Sequence, residues 1–205
     1  MKQQVFFIHG GDSYTKREDF LQSLVTKHIR NLPGSEQTNF WTKTLATDLG
    51  EDYEVFMPQM PNSQNASYDE WCIWFERHFE YLKDDIILIG WSLGGMFLAK
   101  YLSENLFPQK IKGLFLLAAP CGTQVDPQGN DCGSFQFEVS VLRQLDQKVD
   151  KVSIWHSTDD FVVPYGQALE YKSHLNNATL SAFTDKNHFL LSTFPELLAA
   201  IKELD

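Results

Sequence analysis

Short apolar runs alternate with longer amphipathic runs along the whole chain. Six short runs are predicted to be strands, at residues 5–9, 53–57, 86–90, 111–119, 152–156 and 178–183. Residues 86–89 and 113–117 are apolar almost throughout and do not alternate with polar residues. Strands that are buried on both faces have this pattern, whereas strands with one solvated face alternate. The pattern therefore predicts a parallel sheet covered by helices on both faces.

Helical periodicity fills the intervals between these runs. The predicted helices span residues 17–31, 37–49, 69–83, 93–105, 164–175 and 193–204. The clearest lies at 69–83, where one stripe of mostly aromatic side chains begins at Trp71, and Ser67 and Glu70 precede it with the spacing of a capping box. Strands and helices alternate without a linker or a repeat, so we expect one α/β domain over residues 1–205, with a mostly parallel sheet of about six strands.

The charge and composition of the chain disfavour several classes of binding partner. The 205 residues include 17 Lys and Arg against 27 Asp and Glu, a net charge of −10. Phosphate backbones and anionic lipids repel such a chain, so we expect no nucleic-acid or membrane partner. The apolar run near the start is too short for the core of a signal peptide. Three cysteines without C-x-x-C spacing disfavour a disulfide framework and favour the cytoplasm.

Residues 90–94 read Gly-Trp-Ser-Leu-Gly and match the G-x-S-x-G pattern. They follow a buried strand and open a predicted helix, as a nucleophile elbow requires. In such an elbow the serine occupies a strained turn at the carboxyl edge of the sheet, where open α/β sheets bind ligands. We therefore predict that Ser92 is a nucleophile. The alternative is an inert serine in a glycine-rich turn.

A serine hydroxyl needs a base, and in this arrangement a histidine follows the serine in the chain, with a carboxylate between the two. His188 fits best, because it lies in the loop between the last predicted strand and the last predicted helix. The other histidines lie on predicted helices, in the first turn or at the end of a strand: His28, His78, His174, His9 and His156.

The predicted carboxylate is Asp160 or, less favoured, Asp159. Its role would be to hold the imidazole in one tautomer and to stabilise the imidazolium that forms during attack. The segment leaves a predicted strand, and Pro164 can open the next helix. The alternative is that the two aspartates are a solvated or helix-capping pair.

An oxyanion hole requires backbone N–H groups directed at the tetrahedral intermediate. We expect one from Leu93, which follows the nucleophile, and one from Gly11, in the His-Gly-Gly turn after the first strand. A glycine there permits close approach of the backbone to a substrate. No metal-ligand spacing and no G-x-G-x-x-G motif is present, so we expect no metal and no cofactor.

Several apolar residues stand near the predicted site in the sequence. Trp91, Phe161 and Phe189 are candidate substrate-binding residues, and Met60 and Val162 are further candidates. They would either line an acyl pocket or pack around the elbow. Residues 10–36 and 120–135 are long for plain connections, and such stretches are either functional or simply exposed.

The four motifs together resemble those of the α/β-hydrolase superfamily, in content and in order. The small size and the short route from Asp160 to His188 are similar to its compact branch, the retinoblastoma-binding-protein-9-like and YdeN-like serine hydrolases. The resemblance implies a Ser92–Asp160–His188 triad. Asn187 stands where many relatives have Gly, and the long stretch 12–36 would form a small lid or a partner surface.

The expected function is that of a carboxylesterase-like serine hydrolase, which cleaves a small ester or other activated acyl compound through an acyl-serine intermediate. Its activity should fall as His188 becomes protonated. One alternative is a protein-binding or regulatory module on a hydrolase scaffold, with little turnover. Another is transfer of the acyl group to an acceptor other than water. The same fold hosts unrelated functions, so the fold alone does not choose between them.

Overall fold

Six parallel strands form one sheet in a computed structural model that describes residues 2–27, 29, 40–123, 125 and 130–204. The strands are β1 (Gln3–Ile8), β2 (Tyr53–Phe56), β3 (Ile86–Trp91), β4 (Ile111–Leu117), β5 (Val152–Ser157) and β6 (Ala178–Phe183). Their order across the sheet is β2-β1-β3-β4-β5-β6, and every neighbouring pair is parallel. The predicted α/β fold class is confirmed. All loops that follow the strands therefore meet at one edge.

Helices cover both faces of the sheet. They are α1 (Arg17–Thr26), α2 (Leu45–Leu49), α3 (Tyr68–Glu76), α4 (Leu93–Glu104), α5 (Leu142–Asp146), α6 (Gly166–His174) and α7 (Pro195–Lys202). Alternate residues of each strand point to opposite faces. Accordingly Phe6 and Ile8 pack with α3, α4, α5 and α6, whereas Val5 and Phe7 pack with α2 and α7. Burial of the strands on both faces explains their continuous apolar runs.

The predicted helix at 69–83 is shorter in the structure. It ends at Glu76, and the chain continues into a 3-10 turn at Phe79–Tyr81. The side chain of Gln4 accounts for part of this difference, because its amide donates to the carbonyl of Tyr81 (3.1 Å) and accepts from the N–H of Lys83 (2.7 Å). These two backbone groups are thus satisfied by the side chain of Gln4 on β1 rather than by a continuing helix.

The predicted capping box is also wrong. Ser67 is the N-cap of α3, but its side chain makes no capping bond. The N–H of Tyr68 donates instead to the hydroxyl of Ser134 (2.9 Å), and the carboxylate of Glu70 accepts from the amide of Asn62 (2.9 Å). Ser134 from a distant segment and Asn62 from the turn before α3 have replaced the local pair.

Two other predicted helices differ in extent. The helix expected at 17–31 is α1, which ends at Thr26, and residues 28, 30 and 31 lie outside the described residues. The helix expected at 37–49 is a 3-10 turn at Trp41–Lys43 followed by α2, and residues 37–39 also lie outside the described residues. Within the described ranges, none of the helices combines the length and apolar composition that a membrane span requires.

Candidate active site

Ser92 occupies a strained turn between β3 and α4. Its φ of 56° and ψ of −126° are unusual for a residue with a side chain. The turn is fixed on both sides, because the N–H of Ser92 donates to Leu117 O (2.8 Å) and its carbonyl accepts from Gly95 N–H (2.9 Å) and Met96 N–H (3.2 Å). The sheet and the helix thus hold the serine at the apex that the G-x-S-x-G motif predicts.

The glycines of the elbow are required by close backbone contacts. A Cβ on Gly94 would lie 2.3 Å from the carbonyl oxygen of Ile8, and one on Gly90 would lie 2.5 Å from that of Gly94. Both clashes involve backbone atoms, so no side-chain rotation can relieve them. The elbow therefore packs against β1 only because these positions carry no side chain.

The Gly94→Ala variant is expected to lose about 3 kcal/mol or more of its free energy of unfolding, because the new Cβ must displace β1 or α4. Equilibrium urea unfolding measures the change. Gly166→Ala is the matched control, since a Cβ there meets nothing within 4 Å. Its stability should stay within about 1 kcal/mol of the wild type. A Gly94→Ala variant as stable as Gly166→Ala would contradict this account of the elbow.

His188 is held by Asp160. The Nδ1 atom of His188 lies 2.8 Å from Oδ2 of Asp160, and both side chains are buried. An ionised carboxylate can only accept a hydrogen bond, so Nδ1 carries the proton and Nε2 is left as the acceptor. The other carboxylate oxygen, Oδ1, accepts the N–H groups of Val162 (2.8 Å) and Val163 (2.9 Å). The loop after β5 therefore fixes the acid, and the acid fixes the ring.

The surroundings of Asp160 favour its ionised form. Burial alone would raise its pKa, but hydrogen bonds to His156 and His188, together with the N–H of Val163, hold the pKa well below its ordinary value. The carboxylate is therefore charged at neutral pH. Because the folded pKa is lowered, the ionised group stabilises the fold above the pKa of an unfolded aspartate, about 3.9, and this contribution is lost as the pH falls through the folded pKa.

His156, at the end of β5, is a second imidazole on the same carboxylate, and the sequence predicts no role for it there. It is 1 % exposed, and its Nε2 lies 2.8 Å from the carbonyl oxygen of Val163 and 3.3 Å from Oδ2 of Asp160. A carbonyl oxygen can only accept, so Nε2 carries a proton that both oxygens share. Its spacing of four residues before Asp160, at the end of the same strand, is the signal that could have identified it.

Asp159 has a different set of partners. Its Oδ1 accepts the hydroxyl of Ser157 and the N–H of Asn187 (3.0 Å), and Ser157 Oγ accepts the N–H of Lys186 (3.1 Å). The hydrogen bond from Ser157 also lowers the pKa of Asp159. Asp159 thus ties the loop after β6 to the end of β5, while its neighbour contacts the His188 ring. Of the two aspartates left open by the sequence, the structure brings Asp160 to the histidine.

The imidazole of His188 lies beside the elbow. Trp91 Nε1 donates to the carbonyl oxygen of His188 (3.0 Å), and the centroids of the two rings are 5.7 Å apart. Within the described ranges, no hydrogen bond joins the Ser92 hydroxyl to His188. Hydrogen bonds of this kind are often long without a substrate and shorten in the reactive complex. Trp91 is thus the residue that links the serine turn to the histidine loop.

The two predicted oxyanion donors face the same cavity. Gly11 and Leu93 both line it, and neither backbone N–H has an acceptor in the part of the chain that the structure describes. Leu93 is the first residue of α4, where the helix leaves its N–H groups free and carries partial positive charge. The next N–H, that of Asp12, is occupied by the carbonyl of Ser63 (2.9 Å). Gly11 is therefore a free donor after β1, whereas Asp12 is not.

A small cavity of about 30 Å³ lies next to Ser92. Its lining is formed by Gly11, Asp12, Ser92, Leu93, Pro120, Asn130, Cys132, Val162, Val163 and Gln167. A larger groove of about 440 Å³ between α1 and the loop after β5 shares Asp12, Asn130 and Val162 with it. The space at the serine is therefore narrow, and it adjoins a wider groove.

The candidate pocket residues separate into two groups. Phe161, which is 55 % exposed, lines the groove, and Val162 lines both spaces. Phe189 is fully buried among Phe183 and Phe194 and lines neither space. Trp91 and Met60 also line neither, and both pack around the elbow: Met60 is buried, and its N–H donates to His9 Nε2 (2.8 Å). Phe189, Trp91 and Met60 therefore do not line the cavity at Ser92.

The geometry matches a known family. A family model described as serine hydrolase matches residues 29–194. The chain belongs to the serine hydrolase family. The predicted resemblance to serine hydrolases is thereby confirmed, and the predicted resemblance to YdeN is confirmed at the level of the fold. No cluster of three or more His, Cys, Asp or Glu side chains suited to a metal ion is present among the described residues of this serine hydrolase.

Several solved structures have a similar fold. The ydeN gene product from B. subtilis has a TM-score of 0.71 at 16 % identity, and the alignment covers 99 % of this chain and 98 % of that one. The meta-cleavage product hydrolase CumD from Pseudomonas fluorescens IP01 gives 0.68 at 15 %, covering 98 % and 90 %. A lipase-esterase related protein from Clostridium acetobutylicum gives 0.65 at 13 %, covering 99 % and 94 %. No curated protein sequence matches this serine hydrolase.

Proposed function

We propose that this serine hydrolase cleaves a small ester, or another activated acyl compound, through an acyl intermediate on Ser92. The observation that carries the proposal is the buried His188–Asp160 hydrogen bond of 2.8 Å at the sheet edge where the strained Ser92 turn also lies. A nucleophile, a base and an acid that orients the base are the parts that such chemistry needs.

In the first half of the reaction, Ser92 Oγ attacks the carbonyl carbon while its proton moves to Nε2 of His188. The carbonyl π bond breaks and its electrons move to the oxygen. The resulting oxyanion accepts hydrogen bonds from the free N–H groups of Gly11 and Leu93. Asp160 stabilises the imidazolium. Collapse of the intermediate breaks the bond to the leaving group, which takes the proton from Nε2. The acyl group remains on Ser92 as an ester.

In the second half, a water molecule gives a proton to Nε2 of His188 and attacks the acyl-serine. A second oxyanion forms in the same hole and collapses, and Ser92 Oγ regains its proton as the leaving group. The products are a carboxylic acid and the free enzyme. Transfer to an acceptor other than water would use the same steps with a different attacking group.

Two structures of similar fold agree with this class of reaction, since one is a lipase-esterase related protein and another is the esterase RhEst1 from Rhodococcus. The narrow cavity at Ser92 favours a small acyl part. We therefore expect carboxylesterase-like turnover of short esters, with a rate that falls as the acyl chain grows.

The proposal is tested with p-nitrophenyl esters of increasing acyl length and with a fluorophosphonate probe, which labels an activated serine. The wild type is expected to hydrolyse the short esters and to take up one probe per chain, at the peptide that contains Ser92. Folded wild-type protein that neither turns over the esters nor reacts with the probe would overturn the proposal.

The binding-module alternative is favoured by one observation. Helix α1 has no buried residue and exposes Leu21, Leu24 and Val25, so an apolar surface stands beside the groove. Under that alternative the protein would bind a partner without Ser92-dependent turnover. The ester assay decides between the two, because a module that retains the triad but has little turnover would not hydrolyse the esters at an appreciable Ser92-dependent rate.

A further inference from the structure

Gln167 is a buried amide with one end fixed and one end free. It is the second residue of α6, is 1 % exposed, and lines the cavity beside Ser92. Its Oε1 accepts the N–H of Cys121 at 2.6 Å. A backbone N–H can only donate, so this contact identifies the oxygen end of the amide. The other end, Nε2, is therefore the part left for the cavity.

The Nε2 donor has no acceptor among the residues that the structure describes. Among the described residues, the fully buried polar side-chain atoms without a partner are Trp74 Nε1 and Gln109 Oε1. Gln167 Nε2 is not one of them, so this atom is accessible from the cavity. When a molecule fills the cavity and excludes water, a donor left without an acceptor costs free energy. An acceptor atom on a molecule in the cavity would satisfy it.

The sheet order places Gln167 and one of the oxyanion donors, Gly11, on opposite sides of Ser92. Strand β3, which leads to Ser92, lies between β1 and β4. Gly11 follows β1, whereas Gln167 is bonded to Cys121 in the loop after β4. A carbonyl oxygen held by the N–H of Gly11 thus lies on the β1 side of Ser92, whereas the Gln167 amide is held on the β4 side. The amide of Gln167 faces a different part of the substrate.

The part of the substrate that faces Gln167 is its acyl substituent. The leaving group must reach His188 to receive its proton, and His188 does not line the cavity. The cavity therefore holds the carbonyl oxygen, at Gly11 and Leu93, and the start of the acyl substituent beside Gln167. Its volume of about 30 Å³ leaves room for about two water-sized groups. Pro120, Val162 and Val163 supply apolar walls, so the amide of Gln167 is one polar donor in a small, partly apolar pocket.

We propose that Gln167 determines acyl specificity: the pocket selects short acyl groups that carry an acceptor oxygen on the α or β carbon, such as alkoxy-, hydroxy- or oxoacyl esters. The inference rests on the proposed ester hydrolysis. A pocket built to hydrogen-bond one oxygen discriminates against the analogue that lacks it, because the buried donor is then unpaired.

The test compares p-nitrophenyl methoxyacetate with p-nitrophenyl butyrate, whose acyl groups have the same length and differ by an oxygen in place of a methylene. The measured quantity is the ratio of the two kcat/KM values. Gln167→Leu is expected to lower this ratio by about five- to tenfold relative to the wild type, the effect of one hydrogen bond. Intrinsic ester reactivity cancels, because each ester is compared between enzymes.

Gln167→Glu serves as the second variant. Its carboxylate can still accept the N–H of Cys121, so the buried contact is kept while the donor is lost. The ratio should fall in this variant as well. An unchanged ratio in both variants, or an equal loss for both esters, would overturn the inference and leave ester hydrolysis in place. Failure of the wild type to hydrolyse either ester in a Ser92-dependent manner would overturn the proposed function and the inference together.

Discussion

Replacing Ser92 with alanine is expected to lower kcat for ester hydrolysis by about 10⁴-fold or more, because no acyl intermediate can form. The residual rate would come from binding and from the N–H groups of Gly11 and Leu93. KM should change little, since the hydroxyl contributes mainly in the transition state. Steady-state kinetics with a p-nitrophenyl ester measures both values.

The Ser92→Ala variant should fold normally. Alanine and serine both carry a Cβ, so the strain of the positive φ at this position is the same for either residue. Ser103→Ala is the matched control, because Ser103 is buried, its hydroxyl donates to Ala99 O (2.7 Å), and it lies at the far end of α4. Its kcat should equal that of the wild type. Turnover that survives in purified Ser92→Ala would place the nucleophile elsewhere.

The parts that the sequence could predict are those encoded by local patterns. The apolar run at 86–89 predicts a strand buried on both faces, and the structure has one there. The glycines around Ser92 predict a tight turn, because only positions without a side chain allow β1 and α4 to meet so closely. Parallel strands bring their following loops to one edge, so chain order alone placed His188 and Asp160 in the same region.

The parts that the sequence could not predict depend on partners from distant segments. The end of α3 depends on Gln4, which lies 77 residues from the carbonyl that it binds. The orientation of the Gln167 amide depends on a backbone N–H 46 residues away. Neither residue type is unusual at its position, so composition and periodicity contain no signal for either contact.

The choice between Asp159 and Asp160 has the same origin. The two residues are chemically identical and adjacent, so no pattern separates them. They differ in that Asp160 turns into the protein, toward His156 and His188, whereas Asp159 lies at the surface and holds the loop that carries His188. A mutation at each position converts this difference into a measurement.

Asp160→Asn is expected to lower kcat by about 10⁴-fold, with a small change in KM. The asparagine amide can donate to Nδ1 of His188, which moves the ring proton to Nε2. In that tautomer Nε2 cannot accept the proton of Ser92, and the imidazolium also loses its counter-charge. Circular dichroism checks that the variant is folded, and steady-state kinetics with a short p-nitrophenyl ester measures the loss.

Asp159→Asn is the matched control for the same chemical change one residue away. Its amide oxygen can still accept the hydroxyl of Ser157 and the N–H of Asn187, so the His188 loop should keep its position. We expect its kcat to remain within about threefold of the wild type, as for the loss of at most one surface interaction. A loss at Asp159 that equals or exceeds the loss at Asp160 would mean that the 2.8 Å contact to Nδ1 does not orient the base during turnover.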